Sequence, residues 1–368
     1  MHIVTRRLLS LVSASALLLA LTACQKAEEP APEPTEPTTT TTTEATTTTT
    51  EAKSDKAINP LTGAEDMDSK KNRPVAFAVP DESADITQIG IEHADMYFEA
   101  ETEAGIPRLL AIFSSVDRIP DRIGPVRSAR PHFVNFVDSL DAIYCHIGGS
   151  GDARDAIRKL GIDDIESAHE IDDILAASDN VSWNRKAFLK EKVQDAVKKY
   201  GYKTTTKTDS PFIFGEKDGS TSATALDIKI SHSYNIGFTY DAETGLYTKH
   251  RVTQRGDGLA MDEHTTGSGG TITVSNVLIM FDNRTVLDYK NGSAYHIGFD
   301  LEEGYGMLVS GGYAREIKWS RTADQLSFFE EDGETPLTVA VGKTYVALTD
   351  KTLRSETKII GETEESAE

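Results

Sequence analysis

The sequence predicts an α+β protein: an N-terminal layered α/β domain over residues 58–218, then a C-terminal antiparallel β domain, sandwich or barrel, over 219–355. Three observations carry this. Up to Gly201, short apolar runs alternate with stretches of helical period. Beyond Tyr200 no helical stripe occurs; turn signals recur at Glu243-Thr244-Gly245, Asn291-Gly292 and Asp332-Gly333, each flanked by β-type residues. The span between the tails, about 300 residues, exceeds what one core usually holds.

The first half opens with a buried strand at 75-VAFAV-79 and two strands within 95–116, joined at a turn near Ala104-Gly105. In 131-PHFVNFVDSL-140, Phe133, Phe136, Val137 and Leu140 make a helical stripe, and Pro131 suits the first turn, where its missing N–H is no loss. A strand follows at 142-AIYCHI-147. Residues 148-GGSGDARDAIRKLG-161 read as turn then helix, with Ser150 as cap and Gly161 as stop. A third helix is predicted over 186–201. In the second half, strands are predicted at 224–230, 236–240, 271–281, 313–319 and 343–348. In 313-YAREIKWSR-321, Arg315, Ile317, Trp319 and Arg321 share one face, the edge of a core with flanking charges.

The ends concern location. Arg6 and Arg7 precede an apolar run, Leu8 to Leu21, of secretory-signal length. It closes in 21-LTAC-24, which reads as a lipobox: residues 1–23 are a lipoprotein signal peptide and the Cys24 thiol takes the lipid. Residues 24–57, rich in Thr, Glu and Pro, lack apolar periodicity and read as a disordered tether. Residues 356–368 read as an acidic tail. The expected location is extracytoplasmic, on the outer face of the cell membrane, anchored through Cys24. The remaining cysteine, Cys145, lies in an apolar run and reads as a buried small hydrophobe.

Net charge is -21, which argues against nucleic acid as a partner. Against that background, 118-RIPDRIGPVRSARPHF-133 is anomalous. Five arginines (Arg108, Arg118, Arg122, Arg127, Arg130) face two aspartates between Gly105 and Asn135. Arginine suits phosphate and carboxylate because its planar fork bonds bidentately and stays charged. Ser128 reads as the N-cap of the following helix, whose N-terminus adds free N–H groups. The Gly148-Gly149-Ser150 turn supplies a second such end. The predicted anion site is therefore Arg108, Arg122, Arg127, Ser128, Arg130, Gly148, Gly149 and Ser150. Ion pairing with Glu99, Glu101, Glu103, Asp117 or Asp121 is the competing structural reading. His146 is the weak catalytic candidate, against a plain hydrogen-bonding role. No Walker loop, GxGxxG or zinc spacing occurs, so no cofactor and no metal is expected. The cluster 163-DDIESAHEIDD-173 lacks calcium-loop spacing and reads as a solvated face.

The order 59-NPLTG-63, 94-ADMYFE-99, 108-RLLAIFSS-115, 123-IGPVRSARPHFV-134 and 141-DAIYCHIGGS-150 resembles the YerB family of bacterial surface lipoproteins. GGYAREIKW and 341-VGKTYVAL-348 resemble its C-terminal half. The resemblance implies a lipoprotein with paired domains of unknown function, and supplies no reaction. Family members usually carry a His-Asn-Leu-Tyr segment; here 183-WNRKAFL-189 keeps Asn184 without the His or Tyr.

These readings favour an anchored lipoprotein that binds an anionic, phosphorylated or carboxylated envelope ligand, or an envelope protein. One alternative is an envelope enzyme acting on a phosphorylated glycan or polyprenyl-linked substrate, with His146 moving the proton. Another is a structural assembly factor.

Overall fold

The computed structural model describes residues 57–68, 71–81, 88–166, 186–215, 219–255, 258–287, 295–322 and 325–361. The predicted signal segment, Cys24, the Asn291-Gly292 turn, Asn184 and most of the 163–173 cluster lie outside these residues.

In chain order the principal elements are β1 (Val75–Pro80), β2 (Met96–Glu103), β3 (Ile106–Phe113), α1 (Pro131–Ser139), β4 (Ile143–His146), α2 (Gly151–Leu160), β5 (Asp164–Glu166) and α3 (Lys190–Tyr200). Then come β6 (Ala225–Ser231), β7 (Tyr234–Asp241), β8 (Leu246–Arg255), β9 (Gly258–Glu263), β10 (Asn276–Asp282), β11 (Arg284–Leu287) and β12 (His296–Phe299). The last are β13 (Glu303–Ser310), β14 (Tyr313–Thr322), β15 (Gln325–Glu330), β16 (Thr344–Asp350) and β17 (Lys358–Ile360).

Two large sheets form. The larger runs β14-β13-β10-β16-β2-β3-β1-β4-β5 along its main path, with β15 on β14 and β12 on β2. The smaller runs β9-β8-β7-β6-β17. Neither closes on itself among the described residues, so the barrel alternative is corrected to open sheets. The fold is mixed α+β and strand-dominated. A parallel ladder joins the two halves of the chain: β16 lies beside β2, with Tyr345 opposite Tyr97 and their rings stacked at 5.5 Å.

Strand alternation builds two cores from one sheet. Val75, Phe77 and Val79 face the smaller sheet and α3, where Phe238, Tyr247, Val193 and Val197 are buried with them. Ala76 and Ala78 face the other way, towards α1 and α2. On that side Phe98 stacks on Phe136 at 4.0 Å; burying such a ring contributes roughly 1.5–3 kcal/mol.

α2 starts and stops as the sequence dictates. Ser150 accepts from the Ala153 N–H at 3.2 Å. Asp152 stands in the first turn and Arg158 and Lys159 in the last, each matching the helix dipole. Gly161 ends the helix at φ 67, a conformation in which an added Cβ meets no neighbour but is strained by its own backbone. Three expectations need correction. The N-cap of α1 is Arg130, without a side-chain cap, so Ser128 does not cap it. α3 begins at Lys190, because Phe188–Leu189 pair with Arg122–Ile123 as a short ladder. Asp164–Glu166 form a sheet strand with Ile165 buried, so this part of the acidic cluster is not a solvated face.

Candidate functional site

Backbone hydrogen bonds join the arginine loop to the Gly-Gly-Ser loop. The Arg127 N–H donates to the Ala78 carbonyl at 2.7 Å, anchoring the loop on β1. Ile147 N–H donates to Arg127 O and Ala129 N–H to Gly148 O, both at 2.9 Å, and Ser150 N–H reaches Ala129 O at 3.3 Å. The two loops after β3 and β4 thus lie side by side, Ala129 bridged to Gly149.

Two guanidiniums converge beside them. Arg108, at the start of β3, donates from Nη1 to Ser128 O at 2.7 Å and from Nη2 to Glu103 at 3.3 Å. Arg130 donates from Nη1 to Ala129 O at 2.7 Å and makes an ion pair with the same Glu103 carboxylate. A bulge directs Glu103 there. The β2–β3 register slips between Glu101 and Glu103, so Glu103 leaves the face of Glu99 and Glu101 for the helix face. Glu101, on the original face, takes Arg284 in a two-bond fork at 2.7 and 2.8 Å.

The surroundings feel this charge. His296 on β12 stands opposite Glu103 in the ladder; burial, then Arg130, hold its pKa below the ordinary histidine value, against a pull from Asp152. Buried His132, on α1, is pushed down to about 3 by burial and then by Arg130 and Arg108. The Tyr144 hydroxyl is raised by burial, with Arg108 and Arg130 opposing. This buried hydroxyl has no hydrogen-bond partner among the described residues.

The predicted residues therefore separate. Arg108, Arg127, Ser128, Arg130, Gly148, Gly149 and Ser150 share one locality. Ser128 contributes its carbonyl, and Ser150 is committed to capping α2. Arg122 belongs to the ladder with Phe188–Leu189 and points the site no further. Arg118 pairs with Asp95 and Asp66, each at 3.1 Å. His146 is fully buried, with Nδ1 2.8 Å from Gly148 O and Nε2 3.1 Å from Asp164 Oδ2. Both ring nitrogens are engaged, one with the loop and one with β5. Cys145 is buried and its thiol is pushed up by that burial. Among the described residues no group of three or more His, Cys, Asp or Glu is placed to hold a metal ion.

A second polar cluster escaped sequence reasoning. Lys249 on β8, Asp81 after β1 and Glu99 on β2 meet between the two sheets, each side chain 0% exposed. Lys249 Nζ lies 2.5 Å from Asp81 Oδ2, 3.9 Å from Glu99 Oε2 and 3.0 Å from His264 Nδ1. His264 Nε2 meets Gln88 Oε1 at 3.0 Å, and Gln88 Nε2 donates to Pro80 O at 2.7 Å and Asp81 Oδ1 at 3.1 Å. The Tyr345 hydroxyl donates to Glu99. Burial raises Glu99 to about 8, against the pull of Lys249, with Asp81 adding to the rise. Burial pushes Asp81 up as well, but Lys249 and then His264 outweigh it and leave about 2. His264, lowered to about 3 by burial and then Lys249, is neutral. The one available signal was strand alternation: Tyr247, Lys249 and Arg251 fall on one face, and a lysine on an inward face demands a partner.

Residues 61–205 match the family described as protein of unknown function (DUF3048), N-terminal domain, and residues 226–346 match its C-terminal domain. YerB of Bacillus subtilis (strain 168), an inferred lipoprotein, is 26% identical over 295 residues, covering 78% of this chain and 84% of its own. The crystal structure of the Bacillus subtilis YerB protein is similar with a TM-score of 0.68 at 25% identity, over 83% of this chain and 99% of that one.

Proposed function

We propose a binding role for this chain, which belongs to the DUF3048 family together with YerB: it holds an anionic envelope ligand, phosphorylated or carboxylated, on Arg108, Arg130 and the adjoining loops. The observation that carries this reading is the convergence of two guanidiniums on one carboxylate. Glu103 acts as an internal oxyanion, held by one nitrogen of each guanidinium, and the same converging donors suit a phosphate or carboxylate from outside. The Tyr144 hydroxyl adds a donor next to the same charges, and α2 presents its N-terminus alongside. Arg127 sits in the same loop, its backbone tied to Ala78 and Ile147.

Anchoring through Cys24 supports the same setting, because it would hold the site at a membrane surface rich in anionic polymers and headgroups; the lipoprotein naming of YerB supports that anchor. The division into 58–218 and 219–355 is supported by the two family matches, with the β2–β16 ladder continuing one sheet across it. A helical layer on one side of that sheet and a second sheet on the other support the layered reading.

The test is equilibrium binding of a polyglycerol phosphate chain to the wild type and to Arg130→Gln. Charge-assisted hydrogen bonds contribute about 1.5–3 kcal/mol each, so the variant should bind about ten- to a hundredfold more weakly. Equal binding would remove this reading.

A further inference from the structure

A groove of about 440 Å³ lies on the β13–β14–β15 ladder, a volume within the range of small-ligand sites. Register sets its lining. Tyr305 stands opposite Lys318, and Lys318 opposite Phe329. Two half-buried rings and an exposed ammonium thus form a row across three strands, roughly 10 Å from ring to ring at ordinary strand spacing. One pleat along, Glu303 faces Ser320 on the same side.

The row is held rigidly. Arg354 lies over the Tyr305 ring at 5.0 Å, and the Phe281 ring packs against it at 5.6 Å. Behind the row, the Trp319 indole is buried against Gly304 and donates to Tyr305 O at 3.2 Å. A Cβ at Gly304 would come within 2.5 Å of that indole, so only glycine lets the tryptophan lie flat and fix the strand from behind.

The direction of the row decides the ligand. β14 is hydrogen-bonded on both sides, by β13 and β15, so its backbone is taken and a peptide cannot add as a strand there. A ligand lying across the strands meets side chains only: the Phe329 ring, the rim of Tyr305 with its hydroxyl (its face lies under Arg354), one ammonium, one carboxylate and the Ser320 hydroxyl. A pyranose matches that set. Its axial C–H groups carry partial positive charge and stack on the negative faces of aromatic rings, while its ring hydroxyls both donate and accept. We infer that this groove binds a linear oligosaccharide, one of whose sugars stacks on Phe329 while Glu303, Lys318, Ser320 and the Tyr305 hydroxyl take hydroxyl and acyl groups along the chain. The site is separate from the arginine loops and does not depend on them.

The experiment is calorimetric titration of the full chain with a tetramer of β-1,4-linked N-acetylglucosamine. Wild type should bind saturably, Phe329→Ala should bind about tenfold more weakly or worse, and Phe329→Trp, which keeps a ring face, should bind near wild type. Matching thermal unfolding midpoints show that the variants fold. Arg130→Gln should bind the tetramer as wild type does, whatever its effect on phosphate chains. Absence of tetramer binding by wild type overturns the inference, as does a Phe329→Ala variant that binds undiminished. Loss of tetramer binding in Arg130→Gln alone also overturns it, by moving the sugar to the other site.

Discussion

Lys249 Nζ lies 2.5 Å from Asp81 Oδ2 with neither side chain exposed, a charge pair enclosed between two sheets. Such pairs are costly to break, because the survivor is left charged and dry. Lys249→Met should destabilise the fold by roughly 3–5 kcal/mol, read as a lowered urea midpoint. Lys249→Met combined with Asp81→Leu should recover only part of the loss, since the stripped carboxylate is gone but Arg251, 3.7 Å from Asp81, loses that partner. A single variant as stable as wild type would show that the pair carries no such penalty.

The same cluster sets a pH dependence whose sign follows from the groups around it. Glu99 is raised from 4.5 to about 8 in the fold. Between those values the folded state binds more protons, so its contribution is full below pH 4.5 and is lost as pH rises to 8. His264, lowered from 6.5 to about 3, acts oppositely: its contribution is full above 6.5 and is lost as pH falls. The two slopes oppose each other between pH 4.5 and 6.5, which leaves a net fall in stability from about pH 6.5 to 8. Glu99→Gln should flatten that fall in urea titrations at stepped pH. A wild-type curve already flat over this window would contradict the assignment.

Cys145 should be silent to a thiol reagent in the native state and react fully in denaturant. Its thiol is wholly buried and pushed up, and the thiolate is the reactive form. Labelling of the native protein at the rate of a free thiol would show that β4 opens.

Ser150→Ala should cost about 1 kcal/mol through loss of the α2 cap, whereas Ser128→Ala should cost less than half of that. Denaturant midpoints of the two variants separate a capping serine from one whose backbone alone is used.

What could be read from the sequence follows the range of the interactions. The α1 stripe, the Ser150 cap, the Gly161 stop and the Asp332-Gly333 turn are written within a few residues, and each forms as read. Pairings between distant segments are not written locally. Nothing near Tyr97 announces Tyr345, and nothing near Asp81 announces Lys249, 168 positions away. Glu103 shows the finer limit. Strict alternation places it on the face of Glu99 and Glu101, and only the bulge before it turns it to the arginines. The arginine loop stands out because its charge departs from the acidic background; the Lys249 cluster is assembled from segments far apart in sequence and leaves no such local contrast. Arg122 belongs to the predicted site by proximity in sequence, yet a two-residue ladder draws it elsewhere; Arg118, in the same basic stretch, is taken by a pair of aspartates.

Glu103→Gln, measured beside Arg130→Gln for binding of polyglycerol phosphate, tests the account most directly. If Glu103 occupies the guanidiniums that an outside oxyanion would use, removing its charge should tighten binding by about tenfold, while Arg130→Gln weakens it. The opposed signs cannot arise from general loss of fold. Weaker or unchanged binding by Glu103→Gln would contradict the claim that this carboxylate stands in the ligand's place.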